Sequence, residues 1–291
     1  VSVFYREAGD PSRPAVLLLH GFPTSSQMFS ELIPRLSDRY YVLAPDYPGY
    51  GLSEQPSRED FTYSFDNMAR IVRAVLDHKG VDRFAVYLMD YGAPVGFRLF
   101  AERPEAVTAF VVQNGNAYEE GLTEFWAPLR KYWATNAAED RNALRGFLNR
   151  DATIWQYQHG TRQPNAINPD NWLIDQPLLD RPGNAEIQLD MFYDYRTNVE
   201  RYPAWQAMFR EHQPPTMIVW GKNDEIFPAS GAHPYLRDLP DAEFHLLDTG
   251  PPSTERGRTS LCVHGNPTWG YAWAAFLRRR AGGEDERPCF L

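Results

Sequence analysis

The chain has 291 residues, 43% of them hydrophobic, and a net charge of −9. That length and apolar content fit one sizeable domain, or a core with an inserted lid, and set aside disordered chains. The acidity argues against a nucleic-acid partner, which needs clustered Lys and Arg, and no apolar stretch approaches the roughly 18 residues of a membrane span.

In chain order, the first apolar run is Ala15 to Leu19, a buried strand that ends in His20-Gly21-Phe22-Pro23. Gly21 lets the backbone turn there, so that amide donors face the end of the strand. His20 reads as a structural histidine hydrogen-bonded under this loop rather than as a base. A second strand, Tyr41 to Ala44, leads into the turn-rich loop Asp46 to Pro56. Helical spacing follows over Ser64 to Lys79, then a strand over Phe84 to Met89 and a helix over Ala93 to Glu102.

Chemistry is densest where that strand runs straight into its helix, with Asp90 at the junction and Gly92 and Ala93 just after it. A sharp turn of this kind exposes the Asp in nucleophile-elbow geometry, and the small residues let the helix start close to the strand. Leu88 departs from the usual pattern, since it sits where a small residue is commonest. The backbone amides of Phe22 and Tyr91 are placed to form an oxyanion hole beside Asp90. Further strands are read over Ala109 to Gln113, Thr216 to Trp220 and Glu243 to Leu247. The alternation defines an α/β fold with a mostly parallel sheet and helices on both faces. Between them, residues 116–213 turn rich in Trp, Tyr and helix formers and read as a helical lid over the carboxyl ends of the strands. Residues 1–115 and 214–250 form the core. Asp224, four residues after the strand-ending Trp220, lies on the same edge as Asp90 and is placed to orient a histidine.

Taken together, "HGFP" at 20–23, "PGYG" at 48–51, "DYG" at 90–92 and "WGKND" at 220–224 resemble the α/β-hydrolase superfamily. The resemblance is to its Asp-nucleophile branch of epoxide hydrolases and haloalkane dehalogenases, and it covers about residues 1 to 250. It implies an Asp that attacks carbon to give an alkyl-enzyme ester, water activated by a His–Asp pair that hydrolyses the ester, and no cofactor. A departing halide needs N–H donors. Dehalogenases commonly carry Trp after the nucleophile and Asn in the first loop, where this chain has Tyr91 and Phe22. An opening epoxide needs acidic hydroxyls, and the resemblance points to Tyr195 in "FYDYRTN" and Tyr132 in "PLRKYW" as lid donors. Epoxide hydrolysis is the preferred reading and haloalkane dehalogenation the second, with Trp126 as a lid halide donor. Fluoroacetate dehalogenases also use an HGFP loop but carry Arg after the nucleophile. A serine-type esterase is disfavoured by the Asp at the elbow.

The tail departs from the family. Where the base histidine normally follows the last strand, this chain has Pro251. His245 lies inside the strand and His233 reads as a surface residue, which leaves His264 as the candidate. His264 sits in "CVHGNPTW", a second HG motif with the dehalogenase-type Asn266, so that residues 251–291 resemble the start of a second hydrolase unit. A protein that keeps the pocket and lacks the base, a binding protein or single-turnover trap, is therefore a third reading. The only cysteines, Cys262 and Cys289, make neither a disulfide framework nor a paired metal site, and the seven scattered histidines form no zinc motif. The expected partners are a small apolar substrate and water, with neither nucleic acid nor membrane. Monomer and homodimer are both left open, and the cytoplasm is the default location.

Overall fold

A computed structural model describes residues 1–247. His264, the two cysteines and the rest of the tail lie outside the described residues.

The described residues form a seven-stranded sheet in the order β1-β3-β2-β4-β5-β6-β7. Its strands are β1 (Tyr5–Ala8), β2 (Ala15–Leu19), β3 (Tyr41–Pro45), β4 (Phe84–Met89), β5 (Val107–Gln113), β6 (Thr216–Gly221) and β7 (Glu243–Leu247). All neighbours are parallel except β1, which runs antiparallel to β3 at the edge. The chain moves outward from β2 to β3, then crosses back to β4 on the other side of β2. The strand order therefore reverses between β2 and β4, and the crevice beyond their carboxyl ends is where an open sheet of this type receives a ligand.

Successive side chains on each strand face opposite ways, and the two sets build two cores. Leu17, Leu19, Val86, Leu88, Phe110, Val112, Ile218 and Trp220 share one face with the helices α2 (Phe65–His78), α3 (Gly92–Glu102) and α9 (Arg196–His212). Val16, Leu18, Val42, Tyr87, Val111 and Val219 share the other with Phe29, Leu32 and the short helix α1 (Ile33–Leu36). Helix α2 shows how the sequence fixes an element. Ser64 caps its N-terminus by accepting from the Asn67 amide, while Phe65, Met68, Ala69, Val72, Val75 and Leu76 recur at helical spacing and are buried.

Between β5 and β6 the regular structure is helical: α4 (Ala127–Thr135), α5 (Ala138–Ala143), α6 (Arg150–Gln158), α7 (Asp170–Leu179), α8 (Asn184–Asp194) and α9, with short single turns between them. A last short helix, α10 (Tyr235–Asp238), precedes β7. The buried guanidinium of Arg98 in α3 ties the root of this insertion to the helices that cover the sheet. It donates to Asp66 in α2, to Asn198 Oδ1 at 2.7 Å and to Thr197 in α9. No helix among the described residues is long and apolar enough to cross a membrane.

The fold also accounts for Leu88. A Cβ at Gly96 would stand 2.0 Å from Leu88 Cδ2, so the helix supplies at residue 96 the space that the strand takes at residue 88. Gly96→Ala is expected to destabilise the protein by about 1–3 kcal/mol through overpacking. In a Leu88→Ala background the same change should cost far less. Denaturant unfolding of the four proteins in a double-mutant cycle checks the coupling.

Candidate active site

The site is built on the turn from β4 to α3. Asp90 has φ of +50°, the left-handed region that Asp tolerates better than most residues. Gly92 follows because a Cβ there would lie 2.3 Å from the Leu19 carbonyl oxygen. The helix thus starts against the end of β2, and Asp90 is turned toward the loop that leaves β2. Gly21 answers from the other side, where a Cβ would meet Asp90 Cβ at 2.3 Å. Asp90 Oδ1 then accepts from the Phe22 amide at 2.8 Å and from the Tyr91 amide at 2.5 Å. Oδ2 has no partner among the described residues. Burial pushes the carboxyl up to about 7; the two amides pull it down, and the charge of Asp224 adds to the rise.

The surrounding loops are held by buried polar groups. The His20 Nδ1–H donates to the Gly21 carbonyl at 3.0 Å, and Nε2 accepts from the Tyr47 amide at 3.2 Å, an arrangement that fixes the neutral tautomer. Burial holds its ring below its ordinary value. His20 therefore supports the loop and has no nitrogen left to act as a base. The Phe22–Pro23 peptide is cis. Asp46 fastens the neighbouring loop, taking the Ser26 amide at 2.7 Å on one oxygen and the Leu52 amide at 2.8 Å on the other.

Asp224 lies across the cavity from this loop. Its Oδ1 accepts from the amides of Ile226 and Phe227, and its Oδ2 from Asn114 Nδ2 at 2.6 Å. Asn114 has φ of +45° directly after β5, and its Oδ1 accepts from the Gly221 amide at 3.2 Å. Sequence reasoning missed Asn114; its place one residue past the strand between those ending at Asp90 and Asp224 is the signal that pointed to it.

Asp90, Asp224 and Asn114 line one cavity of about 60 Å³ together with Phe22, Pro23, Thr24, Met89, Ile226 and Phe227. The insertion contributes Trp155, Gln156, Tyr157 and His159. These were also missed, since nothing in "TIWQYQHG" forms a motif beyond the four-residue spacing that puts Trp155 and His159 on one helix face. The Tyr157 hydroxyl donates to Asp175 Oδ2, and Thr24 bonds to both. Asp175 is buried, which pushes its carboxyl up to about 7.

The lid residues singled out from the sequence separate. The Tyr195 ring packs on Tyr91 and Phe65, and its hydroxyl lies 3.5 Å from that of Tyr202, which accepts from Asn116. Burial raises its phenol well above the ordinary range, and the charge of Asp90 contributes. Tyr195 thus packs on the residue that follows Asp90 and does not line the cavity. Tyr132 is turned elsewhere. Its hydroxyl accepts from Arg141 at 2.9 Å, within a cluster that also holds Glu186 and Asp190. The Trp126 indole is committed too, donating to the Ile226 carbonyl at 2.7 Å. His245 pairs with Glu243 within β7, and His233 stacks on Phe244. Among the described residues no cluster of His, Cys, Asp and Glu has the arrangement to hold a metal ion.

An Asp on a strand-to-helix turn with two amides on one oxygen, set at the switch point of a parallel sheet under helices, is an arrangement of the α/β-hydrolase fold. The chain belongs to the alpha/beta hydrolase fold family, which matches residues 14–253. An uncharacterized hydrolase of Saccharomyces cerevisiae is 42% identical over 86% of this chain and 87% of its own. Haloalkane dehalogenase 2 of Mycobacterium tuberculosis is 41% identical over 82% of this chain and 84% of its own. Among solved structures, a loop variant of a Bradyrhizobium elkanii haloalkane dehalogenase superposes with a TM-score of 0.71 at 18% identity, covering 96% of this chain and 94% of that one. A Pseudomonas aeruginosa protein provisionally assigned as an epoxide hydrolase gives 0.73 at 21%, covering 96% and 92%. Both structures share the fold.

The position of Asp90 has a measurable cost. The folded protein keeps the Asp90 proton up to about pH 7, whereas an unfolded Asp loses it near about pH 3.9. Stability therefore falls as pH rises through that window, and the full penalty is present above it. Asp90→Asn is expected to raise the melting temperature at about pH 8 by ~2–4 °C. The gain should vanish below about pH 4. Thermal melts of both proteins across that range test it.

Proposed function

We propose that this hydrolase opens small uncharged epoxides to vicinal diols through an ester on Asp90. The observation that carries the reading is the asymmetry of the Asp90 carboxylate: Oδ1 is taken by two amides while Oδ2 is open to an apolar cavity. Oδ2 attacks an epoxide carbon, the carbon–oxygen bond breaks, and the ring oxygen takes a proton. Tyr195, which packs on Tyr91 at the edge of the site and reaches Tyr202, is the lid hydroxyl assigned to supply that proton. Water then adds to the ester carbonyl, and the negative charge that develops on Oδ1 is met by the Phe22 and Tyr91 amides.

Several features favour epoxides over halides. Phe22 and Tyr91 offer no side-chain N–H. The indoles of Trp126 and Trp133 already donate to the carbonyls of Ile226 and Phe192. No Lys or Arg lines the cavity, so a haloacid carboxylate would find no cation there. The cavity volume of about 60 Å³ is under half of the ~150 Å³ that accommodates benzene, which favours short-chain substrates. Dehalogenation stands as a second reading, supported by the mycobacterial relative and by Trp155, which lines the cavity and whose indole N–H has no partner among the described residues.

Incubation with 1,2-epoxybutane and, separately, 1-bromobutane distinguishes the two. The expected result is diol from the epoxide and little bromide from the halide, with Asp90→Asn lowering diol formation by at least ~10³-fold. Ester formation should rise with pH through about 7, because only the ionised carboxylate attacks and Asp90 gives up its proton there. Bromide release faster than diol formation would replace the first reading by the second.

A further inference from the structure

His159 is the one histidine among the described residues that lines the cavity holding Asp90 and Asp224. His20 is buried with both nitrogens used, His245 pairs within β7, and His233 stacks on Phe244. The position of His159 is fixed from several sides. It caps the carboxyl end of α6, where its amide donates to the Trp155 carbonyl at 2.8 Å. Its ring stacks on Trp155, with centroids 4.5 Å apart and planes inclined by 22°. The next residue, Gly160, lies against Asn223, whose side-chain amide donates to the Gly160 carbonyl at 3.2 Å. A Cβ at Gly160 would stand 2.6 Å from the Asn223 carbonyl oxygen, so the backbone approach depends on glycine.

Glu225 completes the arrangement. It follows Asp224 in the loop after β6, and its Oε1 lies 2.8 Å from His159 Nε2. With Nε2–H donating to that carboxylate, Nδ1 carries the lone pair and can accept a proton. His159 is 39% exposed at the cavity mouth, where water reaches it and the cavity together.

From this placement we infer that His159, oriented by Glu225, is the general base that activates water for hydrolysis of the Asp90 ester. The inference rests on the reading of Asp90 as nucleophile. In the step, Nδ1 takes a proton from water and the hydroxide oxygen bonds to Cγ of Asp90. The carbonyl electrons move to Oδ1, held by the two amides. Collapse breaks the bond from Cγ to the alkyl oxygen, and that oxygen leaves with the proton from Nδ1. Asp90 emerges as the carboxylic acid and returns its proton to the Tyr195 phenolate left by the first step, so Asp90, Tyr195 and His159 are regenerated, and the sum is epoxide plus water giving diol. Asp224 then acts as the anchor of the loop that presents Glu225, its oxygens spanning the Ile226 and Phe227 amides and Asn114.

The test follows the intact mass of the full chain after mixing with 1,2-epoxybutane, alongside diol release. In wild type the adduct should be transient. In His159→Ala and His159→Gln it should form at the wild-type rate and persist on Asp90, with hydrolysis slowed by ~10²–10³-fold. Added imidazole should partly restore hydrolysis to His159→Ala, a response that a purely structural role would not give. Glu225→Gln should slow hydrolysis while leaving ester formation intact. Hydrolysis unchanged in both His159 variants, or an adduct that persists in His264→Ala instead, overturns the inference while leaving Asp90 as nucleophile. A wild-type adduct that never hydrolyses overturns it as well. Diol release with no adduct in any variant, on the other hand, sinks the nucleophile reading itself and this inference with it.

Discussion

The structure turns on the close approach of α3 to the end of β2. Because Gly92 sits against the Leu19 carbonyl, the chain between β4 and α3 has no room for an ordinary turn, and Asp90 is driven into the left-handed region. The same contact carries the Tyr91 amide to the position that the Phe22 amide reaches from the neighbouring strand. Two adjacent parallel strands thereby deliver two donors to one oxygen atom. Burying a carboxylate there is unfavourable, and the high proton affinity of Asp90 records it. The amides take one oxygen, and the other is left toward the cavity.

Around this point the chain is organised by buried polar groups that each have a defined partner. His20 braces the loop bearing Phe22, Asp46 braces the loop beside it, and Asn114 fixes Asp224. The hydrogen-bonded set of Thr24, Tyr157 and Asp175 joins the same loop to α6 and α7. Buried hydrogen-bonded groups of this kind are costly to leave half-satisfied, which is why they hold a single geometry.

Much of the fold was legible because buried parallel strands are short apolar runs whose ends are marked by turn residues. The strands at Ala15–Leu19, Phe84–Met89 and Glu243–Leu247 fall where the sequence places them, and the helix read over Ser64 to Lys79 spans Phe65–His78 with Ser64 as its cap. The edge strand Tyr5–Ala8 went unread. Its four residues include Arg6 and Glu7, and its pairing with β3 is a backbone matter that leaves no apolar trace. Leu88 looked anomalous because its compensation lies on another element, at Gly96. The elbow and its amides could be read from spacing. Which lid residues turn inward could not, because that depends on partners far along the chain. Arg141 draws off the Tyr132 hydroxyl, the Ile226 carbonyl draws off Trp126, and the loop after β6 brings Glu225 to His159.

The buried guanidinium of Arg98 has a mechanical consequence. By bonding Asp66 of α2 and Thr197 and Asn198 of α9 at once, it rivets the last helix of the insertion to the helix that starts just after Asp90. That end cannot serve as a hinge without rupturing several bonds to a charge that has almost no access to water. At the far half, α6 is joined to the core in two ways, by the exposed His159–Glu225 pair beside the Asn223 amide and by the buried set of Tyr157, Asp175 and Thr24. The wall beside Tyr195 is thus held through α9 by a buried charge, whereas His159 stands at an exposed contact at the other end of the insertion.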